Sequence, residues 1–388
     1  MQADNQSINF RITKTIDEVP PEICNGLFGN DVIEGWGYHK AFESSNIKEF
    51  KLEYLLAEKN GQVVAIVPFF ITNFSFATLI QGWLQKIIKI FESIAPRLLK
   101  IKLLFVGLPT AEQLYIGINP NADKTEILEL IINKICLIAK DKSAKISLFY
   151  NLSEKDLLLR SLLRKKGFAK MNNFPNTVVP INASSLEDFI EGLGKNMRKD
   201  IRRKLKKSSS LAKLETKIFD YLPQDAGKDI FSLYLNNFLA SDVHFETLTP
   251  EFFENIFRYM PGCAKIFITY YNNKIVAFNL CLIKNDTCID KFIGFDKEVY
   301  IQYHLYFTTF CYNISWCMAN NIRFYQMGIT DYHPKIRLGA KLVPLSVYFK
   351  HHNPILNLLS PVIARIIDPT NFDPTLKKIN KSSRLDIS

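Results

Sequence analysis

The chain writes one hairpin twice. Residues 53–70, Glu-Tyr-Leu-Leu-Ala-Glu-Lys-Asn-Gly-Gln-Val-Val-Ala-Ile-Val-Pro-Phe-Phe, are two apolar runs joined at Asn60-Gly61. Residues 266–283, Ile-Phe-Ile-Thr-Tyr-Tyr-Asn-Asn-Lys-Ile-Val-Ala-Phe-Asn-Leu-Cys-Leu-Ile, are two more joined at Asn272-Asn273. Asparagine and glycine tolerate the positive φ that a type I′ turn needs at both central positions. Gln62-Val-Val-Ala65 falls against Lys274-Ile-Val-Ala277, and each hairpin opens a similar succession of elements. The period is too long for a solenoid, so the repeat predicts two α/β domains of one topology.

The periodicities fill in that succession. In the first half an opening helix over 34–43 precedes the hairpin, and strands over 102–107 and 113–118 follow it. Then come a helix over 124–141, a strand over 144–151, a helix over 153–166 stopped by Gly167, and a strand toward Pro180. In the second half the hairpin leads to a strand over 287–295, a helix over 303–320, a strand at Tyr325, a polar segment and a strand over 342–350. Between the halves, Ser184 or Ser185 is placed to cap one helix with Glu187 and Asp188 in its first turn. That helix ends in the basic run Lys195, Arg198, Lys199, Arg202, Arg203, Lys204, Lys206 and Lys207. The expected division is an N-terminal domain at 1–180, a basic linker helix at 181–215, and a C-terminal domain with a terminal helix at 216–388.

Length and charge narrow the partners. A chain of 388 residues exceeds one ordinary core, in keeping with two domains. The net charge of +11 favours anionic partners, whether a phosphorylated donor, nucleic acid or an anionic membrane surface. The seven cysteines form no C-x-x-C pair and sit mostly in apolar runs, which reads as core packing in a reducing compartment. The histidines show no metal-ligand spacing, so no metal is expected. The N-terminus lacks a basic region followed by an apolar one, and a cytoplasmic location is expected. Charges and a proline interrupt residues 74–104 before they reach the length of a membrane span. Leu79, Ile80, Trp83, Leu84, Ile87 and Ile88 there recur at helical spacing, as a core helix or as one that lies on anionic lipid. The apolar stretch 355–367 invites the same two readings.

Chemistry is expected in residues 324–341, where apolar strands flank Asp331, Tyr332, His333, Lys335 and Arg337, and Pro334 and Gly339 bend the chain. A polar loop facing water is the plain alternative.

These features resemble a family. The hairpin-strand-helix-strand order with Leu163-Arg-Lys-Lys-Gly-Phe168 resembles the GNAT acyltransferase fold. The tandem arrangement, the stretch Leu186-Glu-Asp-Phe-Ile-Glu-Gly-Leu-Gly-Lys-Asn-Met-Arg-Lys-Asp-Ile-Arg-Arg203, and Gly328 followed by Lys335 and Arg337-Leu-Gly339 resemble its Fem-like or BioF2-like branch, over roughly residues 30–350. The resemblance implies an α/β fold of two tandem GNAT-like domains, each a mixed sheet flanked by helices, joined by a basic helix. It also implies transfer of an acyl or aminoacyl group onto an amine, from acyl-CoA, an acyl carrier protein or aminoacyl-tRNA as cosubstrate, with no tightly bound cofactor. A functional lysine of Fem-like second domains falls on Lys335. Neither Lys297–His304 nor Ile118–Asp123 carries the glycine-rich pyrophosphate loop of GNAT enzymes, and without those glycines backbone amides cannot approach a pyrophosphate closely.

Such a reaction needs a neutral amine, a stabilised oxyanion and a protonated leaving group. Asp331 or His333 is placed to take the amine proton, Lys335 and Arg337 to meet an oxyanion or a donor phosphate, and Tyr332 to protonate the leaving group. Arg198, Arg202 and Arg203 are expected on the phosphate of the donor, and Trp36, Tyr38, His39 and His333 on the substrate. No specific DNA binding is expected. The other reading is a noncatalytic basic module that docks on anionic membrane or nucleic acid through residues 195–207.

Overall fold

The computed structural model describes residues 8–75, 100–211, 214–240, 247–329 and 331–385. The amphipathic positions from Leu79 to Ile88 lie outside them. In chain order the strands are β1 (Asn9–Thr13), β2 (Leu52–Lys59), β3 (Gln62–Ser75), β4 (Lys100–Val106), β5 (Gly117–Ile118), β6 (Ile146–Ser153), β7 (Ala169–Asn172) and β8 (Asn176–Pro180). Then follow β9 (Glu215–Phe219), β10 (Ala264–Tyr271), β11 (Lys274–Lys284), β12 (Thr287–Phe295), β13 (Phe324–Gln326), β14 (Lys341–Val343) and β15 (Leu345–His351).

Both hairpins form as their turns dictate. Asn60 and Gly61 have φ of 55° and 75°, and Asn272 and Asn273 have 47° and 62°, so both turns carry the positive pair of type I′. The likeness extends to the irregularities. The register slips between Ala57 and Glu58 opposite Val64, and between Thr269 and Tyr270 opposite Val276, two residues past each turn.

The two sheets then repeat one plan. The first runs β1-β2-β3-β4-β6-β15-β7, with β5 beside β3, and the second runs β9-β10-β11-β12-β13-β8-β14. In each, one parallel pair, β4 with β6 or β12 with β13, interrupts an otherwise antiparallel sheet. The strand after the parallel pair is exchanged between halves: β15, from the end of the chain, enters the first sheet, and β8, from its middle, enters the second.

This exchange corrects the division read from sequence. The first compact unit takes the residues to Glu43, Ile47–Phe174 and the chain from Pro344 onward, and the second takes Ser44–Asn46 and Pro175–Val343. The strand expected over 342–350 is therefore two strands in two sheets, parted at Pro344, which has no N–H to give a ladder. The expected strand over 113–118 shrinks to Gly117–Ile118. The expected single helix between the halves is two, Leu186–Glu191 capped by Ser185 and Lys195–Ser209, with Gly192 and Gly194 at the break. The basic helix is not a free linker, because Met197 and Ile201 are buried in the core of the second unit.

Packing follows the apolar stripes. In the first unit the helix Lys124–Asp141, capped by Asp123, sets Ile127, Ile131 and Ile135 against Leu55, Val67 and Phe149 of the sheet. In the second, the helix Leu305–Ala319 covers the sheet with Phe310, Ile314 and Cys317 against Phe267, Cys281 and Cys288. The cysteines are free thiols, and five of them are fully buried as core residues.

Candidate functional site

Residues 327–341 are not an open loop. After β13, Gly328 at φ 67° and Asp331 at φ 46° turn the chain into a short helix, Tyr332–Arg337. Helical spacing sends Tyr332 and Lys335 inward and leaves Asp331, His333 and Arg337 exposed. Lys335 is only 7% exposed. Its Nζ donates to the main-chain oxygens of Met327 at 2.7 Å, Ile329 at 3.0 Å and Gly328 at 3.4 Å. An ammonium has three hydrogens, and here three carbonyls meet them, so Lys335 clamps the turn that follows β13. The Tyr332 hydroxyl donates to the Pro175 carbonyl at 3.0 Å, which ties the helix to the start of β8. Arg337 faces Asp200 at 3.5 Å.

The expected substrate-binding trio lies in the first unit and fills its interior. Tyr38 is fully buried and donates to Thr110 Oγ1 at 2.9 Å. His39 stacks on Phe28 with ring centroids 5.2 Å apart and shares a 3.3 Å contact with the Tyr54 hydroxyl. Burial pushes its imidazole down to about 3, so it is neutral at physiological pH. Trp36 opens the same helix, its main-chain N–H held by Asn25 at 3.0 Å.

The three arginines of the basic helix are engaged within their own unit. Arg202 binds Glu187 and Glu191, Arg198 donates to the carbonyls of Glu191 and Leu193, and Arg203 binds Asp200. The far end of that helix reaches a more suggestive place. Between the helices Lys297–Tyr303 and Leu305–Ala319, His304 adopts φ 51°, and the second helix starts there without a side-chain cap. Among the described residues the buried His304 Nε2 has no hydrogen-bond partner. Burial lowers its pKa, and the charges of Lys207, Lys204 and Arg203 lower it further, against Asp200, which pairs with Lys204 and with Arg203 at 2.8 Å. Lys204 also lies 3.4 Å above the Phe307 ring.

The sequence reading missed a second polar group. β12 and β13 pair at three positions only, Thr287 with Phe324, Cys288 with Tyr325, and Ile289 with Gln326, after which the strands part. Asp290 is the first residue beyond the last pair, half-buried where the strands separate. Its carboxylate accepts from Asn279 Nδ2 at 2.8 and 3.1 Å and from the Tyr325 hydroxyl at 2.7 Å, and Asn313 Nδ2 donates to that hydroxyl at 2.9 Å. Among the described residues the buried Tyr306 hydroxyl has no hydrogen-bond partner. Burial raises its pKa, and the charges of Asp331 and Asp290 raise it further, which holds the phenol protonated. Asp290, Asn279 and Asn313 each interrupt an otherwise apolar run, and that is the signal that could have found them.

Among solved structures the chain is similar to FemX, at 10% identity and a TM-score of 0.54, covering 90% of this chain and 99% of that one. A tandem GNAT protein from the clavulanic acid biosynthesis pathway matches at 8% identity and a TM-score of 0.50, with 90% and 99% covered. L-PGS from Bacillus licheniformis matches at 11% identity and a TM-score of 0.50, with 85% and 95% covered. These likenesses establish the fold, two GNAT-like domains in tandem. Among curated proteins, 8-amino-7-oxononanoate synthase 2 of Mycobacterium tuberculosis, a protein whose own name is provisional, is 24% identical over 330 residues. That match covers 82% of this chain but 42% of the relative's length. A family model described as peptidoglycan biosynthesis and recognition matches residues 15–366, and the chain belongs to that FemAB-like family.

Proposed function

We propose that the chain transfers an acyl or aminoacyl group from a phosphate-bearing carrier onto an amine, in the second unit, where β12 and β13 part. The observation that carries this reading is the carboxylate of Asp290 at that parting, held by Asn279 and the Tyr325 hydroxyl, with the Tyr306 hydroxyl, which has no hydrogen-bond partner among the described residues, on the helix that covers the same sheet. In the reaction the amine nitrogen attacks the carbonyl carbon, Asp290 takes the proton the nitrogen sheds, and the bond to the carrier's sulfur or oxygen breaks. Tyr306 returns a proton to that leaving atom. Base and acid are then separate groups, as acyl transfer at neutral pH requires. Lys335 acts as a positioning residue that fixes the turn beside the site, since its ammonium is already met by three carbonyls.

The donor's phosphates would lie at the first turn of the helix Leu305–Ala319, where the charges of Lys204, Lys207 and Arg203 bear on His304 and the helix dipole is positive. Membership of the FemAB-like family makes amino groups of peptidoglycan precursors the first acceptors to try. The test is transfer of labelled acyl groups, from acyl-CoA and from aminoacyl-tRNA in parallel, onto such amines. The reading expects one donor to be used, with an apparent KM that rises with salt and rises again in Lys204→Gln with Lys207→Gln. Transfer unaffected by the double substitution would remove the phosphate site, and full turnover in Asp290→Asn would remove the base.

A further inference from the structure

The last helices of the first unit are built against the usual rule. Seven of the twelve residues 355–366 are large hydrophobics more than a third exposed, with Leu358 at 79%, Ile355 at 73% and Ile366 at 66%. The helix Pro354–Leu358 buries none of its side chains, and the helix Ser360–Ile366 buries only Ser360 and Ala364. Apolar burial in these helices is confined to Ala364, against Ala169 and Phe349. Polar tethers hold the rest. Asn353 caps the first helix through the N–H groups of Ile355 and Leu356. Asn357 accepts from the His351 N–H at 3.0 Å and donates to the Gly167 carbonyl at 3.0 Å. The tethers face the domain, and the leucines and isoleucines face away. A monomer rarely leaves so many large apolar groups together without a partner for them.

The surroundings say what partner. The carbonyl that Asn357 holds belongs to the residue closing Arg164-Lys-Lys-Gly167, and Lys350 Nζ donates to the Lys166 carbonyl at 2.6 Å, so this basic run borders the apolar helices. Arg164 is exposed, Lys165 is exposed with Glu129 at 3.3 Å, and Arg365 projects from the second helix itself. Where β15 ends, the His352 N–H donates to the Lys145 carbonyl at 2.9 Å, which brings Lys145 to the strand that leads into these helices. An apolar face rimmed by cations suits a surface that is apolar beneath and anionic on top. A second copy of the chain would bring the same cations against these.

We infer that residues 354–366 dock the protein peripherally on a bilayer containing anionic phospholipid, with Ile355, Leu358 and Ile366 entering the headgroup boundary and Arg164 and Arg365 meeting lipid phosphates. No helix among the described residues is long and apolar enough to cross a membrane. The inference is independent of the proposed reaction, which lies in the other unit.

The test is cosedimentation of the full chain with vesicles of phosphatidylcholine alone and with a third of phosphatidylglycerol. Binding is expected to the anionic vesicles, weakening as salt rises, and at least tenfold less to the neutral ones. Ile355→Glu with Leu358→Glu should abolish it while circular dichroism and the melting temperature stay as they are, because both side chains are already in water. Arg164→Gln with Arg365→Gln, which leaves the apolar face intact, should reduce binding severalfold and flatten the salt dependence. If the double glutamate variant sediments like the parent, the patch is not the docking surface. The inference also fails if the chain binds neither vesicle, or if light scattering shows that the glutamates split a dimer while vesicle binding is unchanged.

Discussion

The two units share a sheet and differ where its parallel strands end. In the first, β4 stops at its last parallel pair, Val106 with Phe149, and Gly107 at φ 126° turns the chain away. Beyond it Asn151 donates to the Ala111 carbonyl at 2.9 Å, accepts from Asn173, and accepts the Leu114 N–H on its main-chain oxygen, while the buried Glu34 carboxylate accepts from the Glu112 N–H at 2.9 Å. In the second unit, β12 runs on from Asp290 to Phe295 after its partner has left, and a carboxylate stands in the gap. One topology thus yields a split bridged by the buried amide of Asn151 and one in which a half-buried carboxylate takes that place. Chemistry is assigned by what occupies the split rather than by the fold around it.

The sharpest way to break this comparison is to exchange charge for amide in the second unit. Asp290→Asn should lower turnover by about a hundredfold or more, the usual scale for removing a general base, with a much smaller effect on the melting temperature. Asn151→Ala in the first unit should do the reverse, costing about 1–3 kcal/mol through the acceptors and donors it strands and leaving kcat unchanged. Equal effects of the two on kcat would erase the distinction between the units.

Next in size is the clamp. Lys335→Met removes the donor from three carbonyls in a buried place, and we expect a loss of about 3 kcal/mol, read from the urea midpoint. Sequence alone placed this lysine on an oxyanion or a donor phosphate, a role whose loss would cost turnover and little stability. A variant as stable as the parent would restore that view.

Acid should distinguish the units further. His39 is neutral in the fold because burial lowers its pKa from 6.5 to about 3, so below pH 6.5 the unfolded chain takes up a proton that the folded chain refuses. Its contribution is complete above pH 6.5 and is lost as pH falls toward 3, at about 1.4 kcal/mol per pH unit. Lowering the pH from 6.5 to 5 should thus cost the first unit about 2 kcal/mol. His39→Gln should flatten that slope, and a slope as steep as before would assign the acid sensitivity elsewhere.

The smallest effects belong to the turns. Gly61 sits at φ 75° with open space where a Cβ would stand, so Gly61→Ala should cost about 1 kcal/mol through backbone conformation alone. Asn273→Gly at φ 62° in the other hairpin should gain a few tenths of a kcal/mol. A gain from the alanine would mean that the two turns are not of one type.

The hairpins were legible because turn chemistry and strand alternation are local, and even the matching slips at Val64 and Val276 fall inside the repeated Val-Val-Ala and Ile-Val-Ala. The helix Lys124–Asp141 was legible for the same reason. The strand exchange was not, since nothing near Pro344 tells a strand which of two sheets it will join. The site was half visible. Residues 331–337 were singled out for their polar crowding, but which of them face inward depends on a helix that Pro334 seemed to forbid, and it is tolerated because it sits in the first turn. Asp290 gains its meaning only from the parting of two strands 35 residues apart in the chain.

The exchange also sets a clock on folding. Ser346 of β15 meets Glu154, next to β6, across 192 residues of sequence, and His352 meets Ser147 across 205. During synthesis the first sheet therefore waits, with β6 and β7 lacking the strand that lies between them, until almost the whole second unit has left the ribosome. Closing so long a loop is slow, and an unfilled sheet in the meantime offers exposed strand edges to other nascent chains. The second sheet, whose exchanged strand β8 is made before the rest of it, meets no such delay. The half synthesised first is the half completed last.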